Sequence, residues 1–91
     1  MMENYIGNLL INAKVKYSFE RIGFYGFSYI VKNDKYELEI LVTKNIVRIE
    51  IFRKEYKNYL ITYKQPKELF YPQTFRETLY NNLLILDFIR S

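Results

Sequence analysis

The feature that most constrains the fold is a run of alternating apolar and polar residues between positions 27 and 63. β-Branched and aromatic residues recur at every second position, and short polar stretches interrupt the run at regular intervals. Such alternation is typical of half-buried strands that are joined by tight turns. The pattern therefore predicts four antiparallel strands arranged as a meander.

Two polar pairs set the expected register of this meander. Asn33-Asp34 and Lys44-Asn45 are interpreted as two-residue hairpin loops. The first loop would pair Val31 with Tyr36, Tyr29 with Leu38 and Phe27 with Ile40. The second would pair Val42 with Val47, Ile40 with Ile49 and Leu38 with Ile51. Both loops place these apolar residues on one side of the sheet, which we expect to be the core.

The opposite side of the sheet combines charged and apolar groups. It would carry Ser28, Ile30, Lys32, Lys35, Glu37, Glu39, Leu41, Ile46, Arg48, Glu50 and Phe52. Apolar residues within a charged rim are the usual composition of a protein–protein contact. The candidate protein-binding residues are therefore Ile30, Leu41, Ile46, Arg48, Glu50 and Phe52.

Two alternatives accompany this interpretation of the sheet. An edge strand, either the one with Phe27 or the one with Tyr59, could pair with another chain. A helix could instead cover the charged side and leave no free face. The register of the last strand stays open, because the turn near residues 54–58 is longer than the other two.

Apolar residues at helical spacing flank the meander on both sides. A first helix is predicted over residues 2–16, with its end between residues 13 and 21, and a bend or bulge over residues 21–26. A connector over residues 67–72 is expected to form at most one helical turn anchored by Leu69, Phe70 and Tyr71. A capping-box pattern at Thr74 predicts a second helix from about residue 75 to about residue 89.

The fold prediction is a single α+β domain of 91 residues with two layers. It consists of an N-terminal helix, a four-stranded antiparallel meander and a C-terminal helix. The simplest packing puts both helices on the apolar side of the sheet. Phe75, Leu79, Leu83 and Leu86 would form the main apolar stripe of the second helix.

The chain contains neither cysteine nor histidine. Disulfides and thiolate metal sites are therefore excluded, and the commonest general base is absent. We find no glycine-rich phosphate loop and no activated-serine pattern. We expect a protein that is not an enzyme and that needs no cofactor or metal.

Glu39 and Glu50 face each other in the predicted register. Like charges in this position repel unless a cation neutralises them. A divalent-cation site or an acid–base pair is one interpretation. Neutralisation by Arg48, Lys32 or Lys35 on the same face is the interpretation that we favour.

A basic and aromatic segment supports an alternative function, binding of nucleic acid. The chain has a net charge of +4, and lysines and tyrosines interleave near the last strand. Basic groups would contact phosphates while tyrosine rings stack on bases. The candidate nucleic-acid-binding residues are Arg53, Lys54, Lys57, Tyr59, Tyr63, Lys64 and Lys67.

The leading hypothesis is a small non-catalytic interaction module with a protein partner. Domains of this size and class are often inhibitors or antagonists, such as toxin-immunity proteins or phage-encoded inhibitors of host defence of the anti-CRISPR kind. We expect a cytoplasmic protein, because we recognise no signal peptide and no apolar run long enough for a membrane span. A homodimer formed through the C-terminal helix is a further alternative.

Overall fold

The computed structural model describes residues 2–89. One five-stranded antiparallel sheet has the strand order β1-β2-β3-β4-β5. A helix precedes the sheet and another follows it, so the α+β class is confirmed, with five strands instead of four. The elements are α1 Met2–Asn12, β1 Ser18–Ile22, β2 Gly26–Lys32, β3 Tyr36–Val42, β4 Ile46–Arg53, β5 Asn58–Pro66, a 3-10 helix Lys67–Leu69 and α2 Pro72–Ile85.

The additional strand, β1, follows from an early end of α1. Lys14 adopts a left-handed backbone with φ of 58°. The N–H groups of Lys14 and Val15 donate to the carbonyls of Ile11 and Leu10 at 3.0 and 3.4 Å. These two bonds form a Schellman cap. The predicted end between residues 13 and 21 was wrong, because a lysine occupies the position where glycine usually marks the end of a helix.

α2 differs from the prediction at both ends. It begins at Pro72 after Tyr71, whose side chain makes no cap hydrogen bond, so the capping box predicted at Thr74 was wrong. Proline suits the first helical position because its φ is fixed and it has no N–H to leave unpaired. At the other end Asp87 has a φ of 62°, and Phe88 N–H donates to the Leu83 carbonyl at 2.9 Å. This second Schellman cap again lacks glycine.

The bend predicted over residues 21–26 is the turn of a hairpin between β1 and β2. Ile22 pairs with Gly26 across a three-residue loop, and Gly23 in that loop has a φ of 61°. A Cβ atom on Gly26 would lie 2.8 Å from the Ile22 carbonyl oxygen. The close approach of the two strands therefore requires glycine at position 26.

The register between β2 and β3 is displaced by two residues from the predicted one. Phe27 pairs with Val42, Tyr29 with Ile40 and Val31 with Leu38. The reason is the Asn33 side chain, whose Oδ1 accepts hydrogen bonds from the N–H groups of Lys35 and Tyr36 at 2.9 and 2.8 Å. This turn centres the loop on Asp34-Lys35. A displacement of two residues keeps every side chain on its predicted face, and the predicted register between β3 and β4 is observed.

The apolar side of the sheet, called the inner face, forms the core with both helices. Its buried residues on β2, β3 and β4 are Phe27, Tyr29, Val31, Leu38, Ile40, Val42, Val47, Ile49 and Ile51. One continuous cluster joins them to Ile6, Leu9 and Leu10 of α1 and to Phe75, Leu79 and Leu83 of α2. Both helices therefore lie on the inner face, as the simplest predicted packing required.

The connector to α2 contains the short helical turn that was expected, but only one of its three anchors is partly buried. The Phe70 ring lies 5.3 Å from that of Phe75 and 6.4 Å from that of Tyr5. Leu69 and Tyr71 are exposed instead. Among residues 2–89, neither helix has the length and apolar character that crossing a membrane would need.

Candidate protein-binding surface on the sheet

The side of the sheet opposite the helices, called the outer face, has no helix packed on it within residues 2–89. The alternative in which a helix covers it does not describe this structure. Lys35, which was placed on this face, lies in the loop between β2 and β3. All six candidate protein-binding residues share the outer face: Ile30, Leu41, Ile46, Arg48, Glu50 and Phe52. Each of them is half-buried by its neighbours.

The strand registers arrange the outer face as rows that run across the strands. One row contains Lys32, Glu37, Phe52 and Tyr59. The next contains Ile30, Glu39, Glu50 and Ile61, and the third contains Ser28, Leu41, Arg48 and Lys64. Charged and apolar groups are therefore mixed within the rows, and Glu39 and Glu50 are direct neighbours on the central strand β3 and on β4.

Arg48 neutralises the two carboxylates that face each other. Its Nη2 donates to Glu39 Oε1 at 3.2 Å and lies 3.7 Å from Glu50 Oε1. The side chains of Arg48, Glu39 and Glu50 are 24%, 33% and 20% exposed. The neutralisation that the sequence favoured is thus present in the structure. In the described part of the chain, no group of three or more potential ligands is arranged to hold a metal ion.

A concavity adjoins this charged centre and has an aromatic wall. The rings of Phe52 and Tyr59 lie 4.8 Å apart at an angle of 39°. Together with Glu37, Glu39 and Glu50 they line a depression of about 380 Å³. The depression combines flat apolar surface with carboxylate oxygens, a combination that can bind a side chain with an apolar stem and a charged end.

The position of Tyr59 depends on a bulge that the sequence did not reveal. Ile49 pairs with Tyr63 and Glu50 with Ile61, so Thr62 is an extra residue in β5. Its Oγ1 accepts a hydrogen bond of 2.7 Å from Asn82 of α2. The extra residue turns Tyr63 toward the core and leaves Tyr59 and Ile61 on the outer face. The aromatic wall was therefore missed by sequence reasoning.

The candidate nucleic-acid-binding residues do not form one surface. Tyr63 is buried on the inner face with its ring edge-on to Phe75 at 5.3 Å, so it offers no ring for stacking on a base. Tyr59 and Lys64 lie on the outer face, and Lys67 begins the 3-10 helix, where its N–H donates to the Asn45 carbonyl at 2.8 Å.

Three further basic residues of this set surround the turn between β4 and β5. Arg53 donates to Asn58 Oδ1 at 2.9 Å, and its guanidinium lies 4.9 Å from the Tyr56 ring centroid. Lys54 Nζ donates to the Asn33 carbonyl at 2.7 Å. Lys57 occupies a left-handed position with φ of 51°. Two of the three cations therefore make contacts within the protein.

The edges of the sheet are β1 and β5. The strand with Phe27 was expected to be an edge, and this was wrong because β1 pairs along it. The strand with Tyr59 is an edge, and it exposes three consecutive large residues, Tyr59, Leu60 and Ile61, by 66%, 54% and 48%. An edge of this kind is suited to pairing or packing with another chain. On α2, Leu84 and Ile85 are also exposed.

Two tyrosines have shifted pKa values, and both belong to the core. Burial raises the pKa of Tyr29, with smaller contributions from Glu3 and Tyr17 in the same direction and an opposing one from Arg21. The Tyr29 hydroxyl donates to the Glu3 carbonyl at 2.9 Å. Burial also raises the pKa of Tyr63, partly offset by the nearby Tyr71 backbone. Both shifts come from packing on the inner face, away from the concavity.

Comparison of the chain with protein-family models, curated proteins and solved structures found no match.

Proposed function

We propose that this protein is a small, cytoplasmic, non-catalytic interaction module that binds a protein partner through the outer face of its sheet. The observation that carries the proposal is a sheet whose helices both pack on one side, which leaves a mixed apolar and charged face on the other. A sheet face that only needed to be solvated would require no aromatic or aliphatic side chains near its centre.

The composition of the outer face supports a protein partner. Binding energy at interfaces is concentrated in aromatic and arginine side chains that lie near the centre of the contact. Phe52 and Tyr59 pack against each other on β4 and β5, and Ile61 is the next residue of β5 on the same face. Arg48 lies two rows away on β4. Part of the desolvation of Arg48 is already offset by its two carboxylate partners.

The size of the face indicates that the contact extends beyond it. Five strands at about 4.8 Å spacing and about 20 Å length give an area of roughly 500 Å². A stable interface usually buries about 800 Å² on each partner. The β5 edge adjoins the outer face and exposes Leu60 beside Tyr59 and Ile61. We therefore include this edge in the proposed contact.

The form of activity that we propose is inhibition or antagonism. A module of 91 residues without cysteine or histidine offers few ways to act other than by occupying a surface of its partner. Toxin-immunity proteins and phage-encoded inhibitors of host defence, including anti-CRISPR proteins, act in this way as classes. Size and chemical composition support this part of the proposal.

Affinity capture from a lysate of the source organism tests the proposal. Phe52→Glu puts a charge into the aromatic wall of the outer face, and we expect it to abolish the capture of the partner. The new carboxylate would face Glu37, so the unfolding free energy should fall by about 1–2 kcal/mol while the protein stays folded. Tyr71→Glu makes the same kind of change at an exposed tyrosine outside the sheet and should leave capture intact. Equal capture by the wild type and by Phe52→Glu would refute the outer face as the binding surface.

Fluorescence anisotropy separates this proposal from nucleic-acid binding. Random single- and double-stranded DNA and RNA should bind weakly at physiological salt, because the basic residues are dispersed and Tyr63 is buried. Tight binding that falls steeply with salt, and that is lost in Lys57→Glu and Lys64→Glu, would favour the nucleic-acid function instead.

A further inference from the structure

We propose that the partner inserts an arginine side chain into the concavity between the Phe52–Tyr59 ring pair and the carboxylates of Glu37, Glu39 and Glu50. This inference rests on the proposed function and specifies the chemistry of the partner. It assigns to the open outer face one occupant, a protein segment that presents arginine.

Charge complementarity is the first argument. The protein has a net charge of +4, yet the residues around the concavity are acidic. Over the whole outer face the charges balance, because four carboxylates accompany four cations: Glu20, Glu37, Glu39 and Glu50, with Lys16, Lys32, Arg48 and Lys64. Three of the four carboxylates line the concavity with only Arg48 beside them, so negative charge is concentrated there and attracts a cationic group of the partner.

The distribution of ion pairs is the second argument. Arg48 is shared between Glu39 and Glu50, and both contacts use the same nitrogen, Nη2. Glu37 lines the concavity and makes no ion pair within residues 2–89, although Lys32 lies across from it on β2. Three carboxylates with one bound cation leave an excess of negative charge in the concavity. A second cation would be accepted there at little cost.

The aromatic wall distinguishes arginine from other cations. A guanidinium is planar, stacks on aromatic rings and binds carboxylates with two parallel hydrogen bonds. Phe52 is half-buried, and Tyr59 is 66% exposed, so one face of this pair is open to a ligand. Lysine can make the ionic contact but lacks the flat group that stacks. The concavity of about 380 Å³ is large enough for one such side chain.

The test is a titration of the isotope-labelled protein with capped hexa-arginine and, separately, with capped hexa-lysine, followed by NMR. We expect saturable shifts concentrated at Glu37, Glu39, Glu50, Phe52 and Tyr59, with hexa-arginine bound several-fold more tightly. The double variant Glu37→Gln/Glu50→Gln should weaken hexa-arginine binding on the order of tenfold. Glu68→Gln/Glu77→Gln removes the same charge at exposed positions elsewhere and should change binding less than about twofold.

Three results would overturn the inference: no saturable shifts, shifts spread over the whole surface, or an equal loss in both double variants. Glu37→Gln alone leaves the Arg48 ion pairs in place, so weaker hexa-arginine binding in this variant cannot be attributed to altered folding. Loss of capture by Phe52→Glu together with no hexa-arginine binding would overturn this inference and leave the proposed function standing. Capture that survives Phe52→Glu would overturn both.

Discussion

The two faces of the sheet are built from the same strands and differ in almost every physical respect. Ile40, Ile49 and Leu38 on the inner face are 0% exposed. Their neighbours Glu39, Arg48 and Glu50 on the outer face remain partly exposed and are held by ion pairs. Alternation along one strand thus divides the chain into residues that define the fold and residues that are free for another role.

This difference separates the residues that stabilise the fold from those that contribute little to its stability. The inner face stabilises the protein by removing apolar surface from water, an effect that depends on volume and close packing. The outer face contributes through partly screened charges, whose effect on stability is small. Selection can therefore change the outer face with little effect on the fold, which is the property expected of a binding surface.

The largest difference in stability is expected when the same isoleucine-to-alanine substitution is made on each of the two faces. Ile49→Ala removes a fully buried side chain that lies between Ile40 and Tyr63, and it should lower the unfolding free energy by about 2–5 kcal/mol. Ile61→Ala on the outer face removes a side chain that is 48% exposed and should cost less than about 1 kcal/mol. Urea denaturation measures both, and equal losses would remove the distinction between the faces.

A smaller loss of stability is expected when the cation that Glu39 and Glu50 share is removed. Arg48→Met leaves Glu39 opposite Glu50 without a cation, and we expect a loss of about 1.5 kcal/mol at low salt. Salt should reduce this loss because the groups are partly exposed. Adding Glu39→Gln should restore most of the stability. A double variant as unstable as Arg48→Met would mean that the loss comes from packing of the arginine stem.

Gly7 on α1 tests how closely this helix packs on the inner face of the sheet. Replacing glycine by alanine within a helix usually stabilises a protein by up to about 1 kcal/mol. Here the new Cβ would lie 2.8 Å from the Tyr29 hydroxyl oxygen. Gly7→Ala should therefore destabilise by about 1 kcal/mol, and Tyr29→Phe should relieve that cost in the double variant. Stabilisation by Gly7→Ala alone would show that α1 packs less closely on the sheet.

Removing the hydroxyl group of each buried tyrosine of the inner face should have a different effect on stability at neutral pH. Tyr29→Phe removes the hydrogen bond to the Glu3 carbonyl and should cost up to about 1 kcal/mol. The Tyr63 hydroxyl is buried without a hydrogen bond of ordinary geometry, so Tyr63→Phe should be close to neutral. Tyr71→Phe, at an exposed position, serves as the control.

Both tyrosines should make the protein sensitive to alkali. Their pKa values are raised above the ordinary 10.0, so the folded state keeps these protons longer than the unfolded state. The resulting stabilisation is complete below the unfolded pKa and is lost as pH rises through the folded pKa. Each Tyr→Phe variant should therefore lose less stability than the wild type above about pH 10. An equal fall in unfolding free energy in the wild type and in both variants above that pH would show that these two hydroxyl groups do not cause the alkali sensitivity.

Sequence reasoning predicted the faces well and the ends of elements poorly. The inner face followed from alternation, which depends only on whether a residue is at an odd or even position. The assignment of residues to the inner face is therefore correct although the Asn33 turn displaces the register between β2 and β3 by two residues. The ends of α1 and α2 depend on left-handed Lys14 and Asp87. Lysine carries no sequence signal for such a backbone, and aspartate carries a weaker one than the glycine that usually occupies this position.

The candidate surface was predictable in part for the same reason. Arg48, Glu50 and Phe52 follow from the alternation of β4 and were assigned to the correct face. The place of Tyr59 depends on the bulge at Thr62, and that bulge is fixed by a contact with Asn82. A contact with a residue twenty positions away along the chain is tertiary information. No local pattern around Thr62 could have supplied it.

The most direct test of the account is photo-crosslinking from single positions on the intact protein. A benzophenone side chain at Phe52 or Ile61 should crosslink to the same partner in a lysate, because both positions lie on the outer face. The same group at Ile11 or Tyr71, which are exposed on the helical side of the chain, should give none. Crosslinks from Ile11 and Tyr71 but not from Phe52 and Ile61 would contradict the assignment of binding to the outer face.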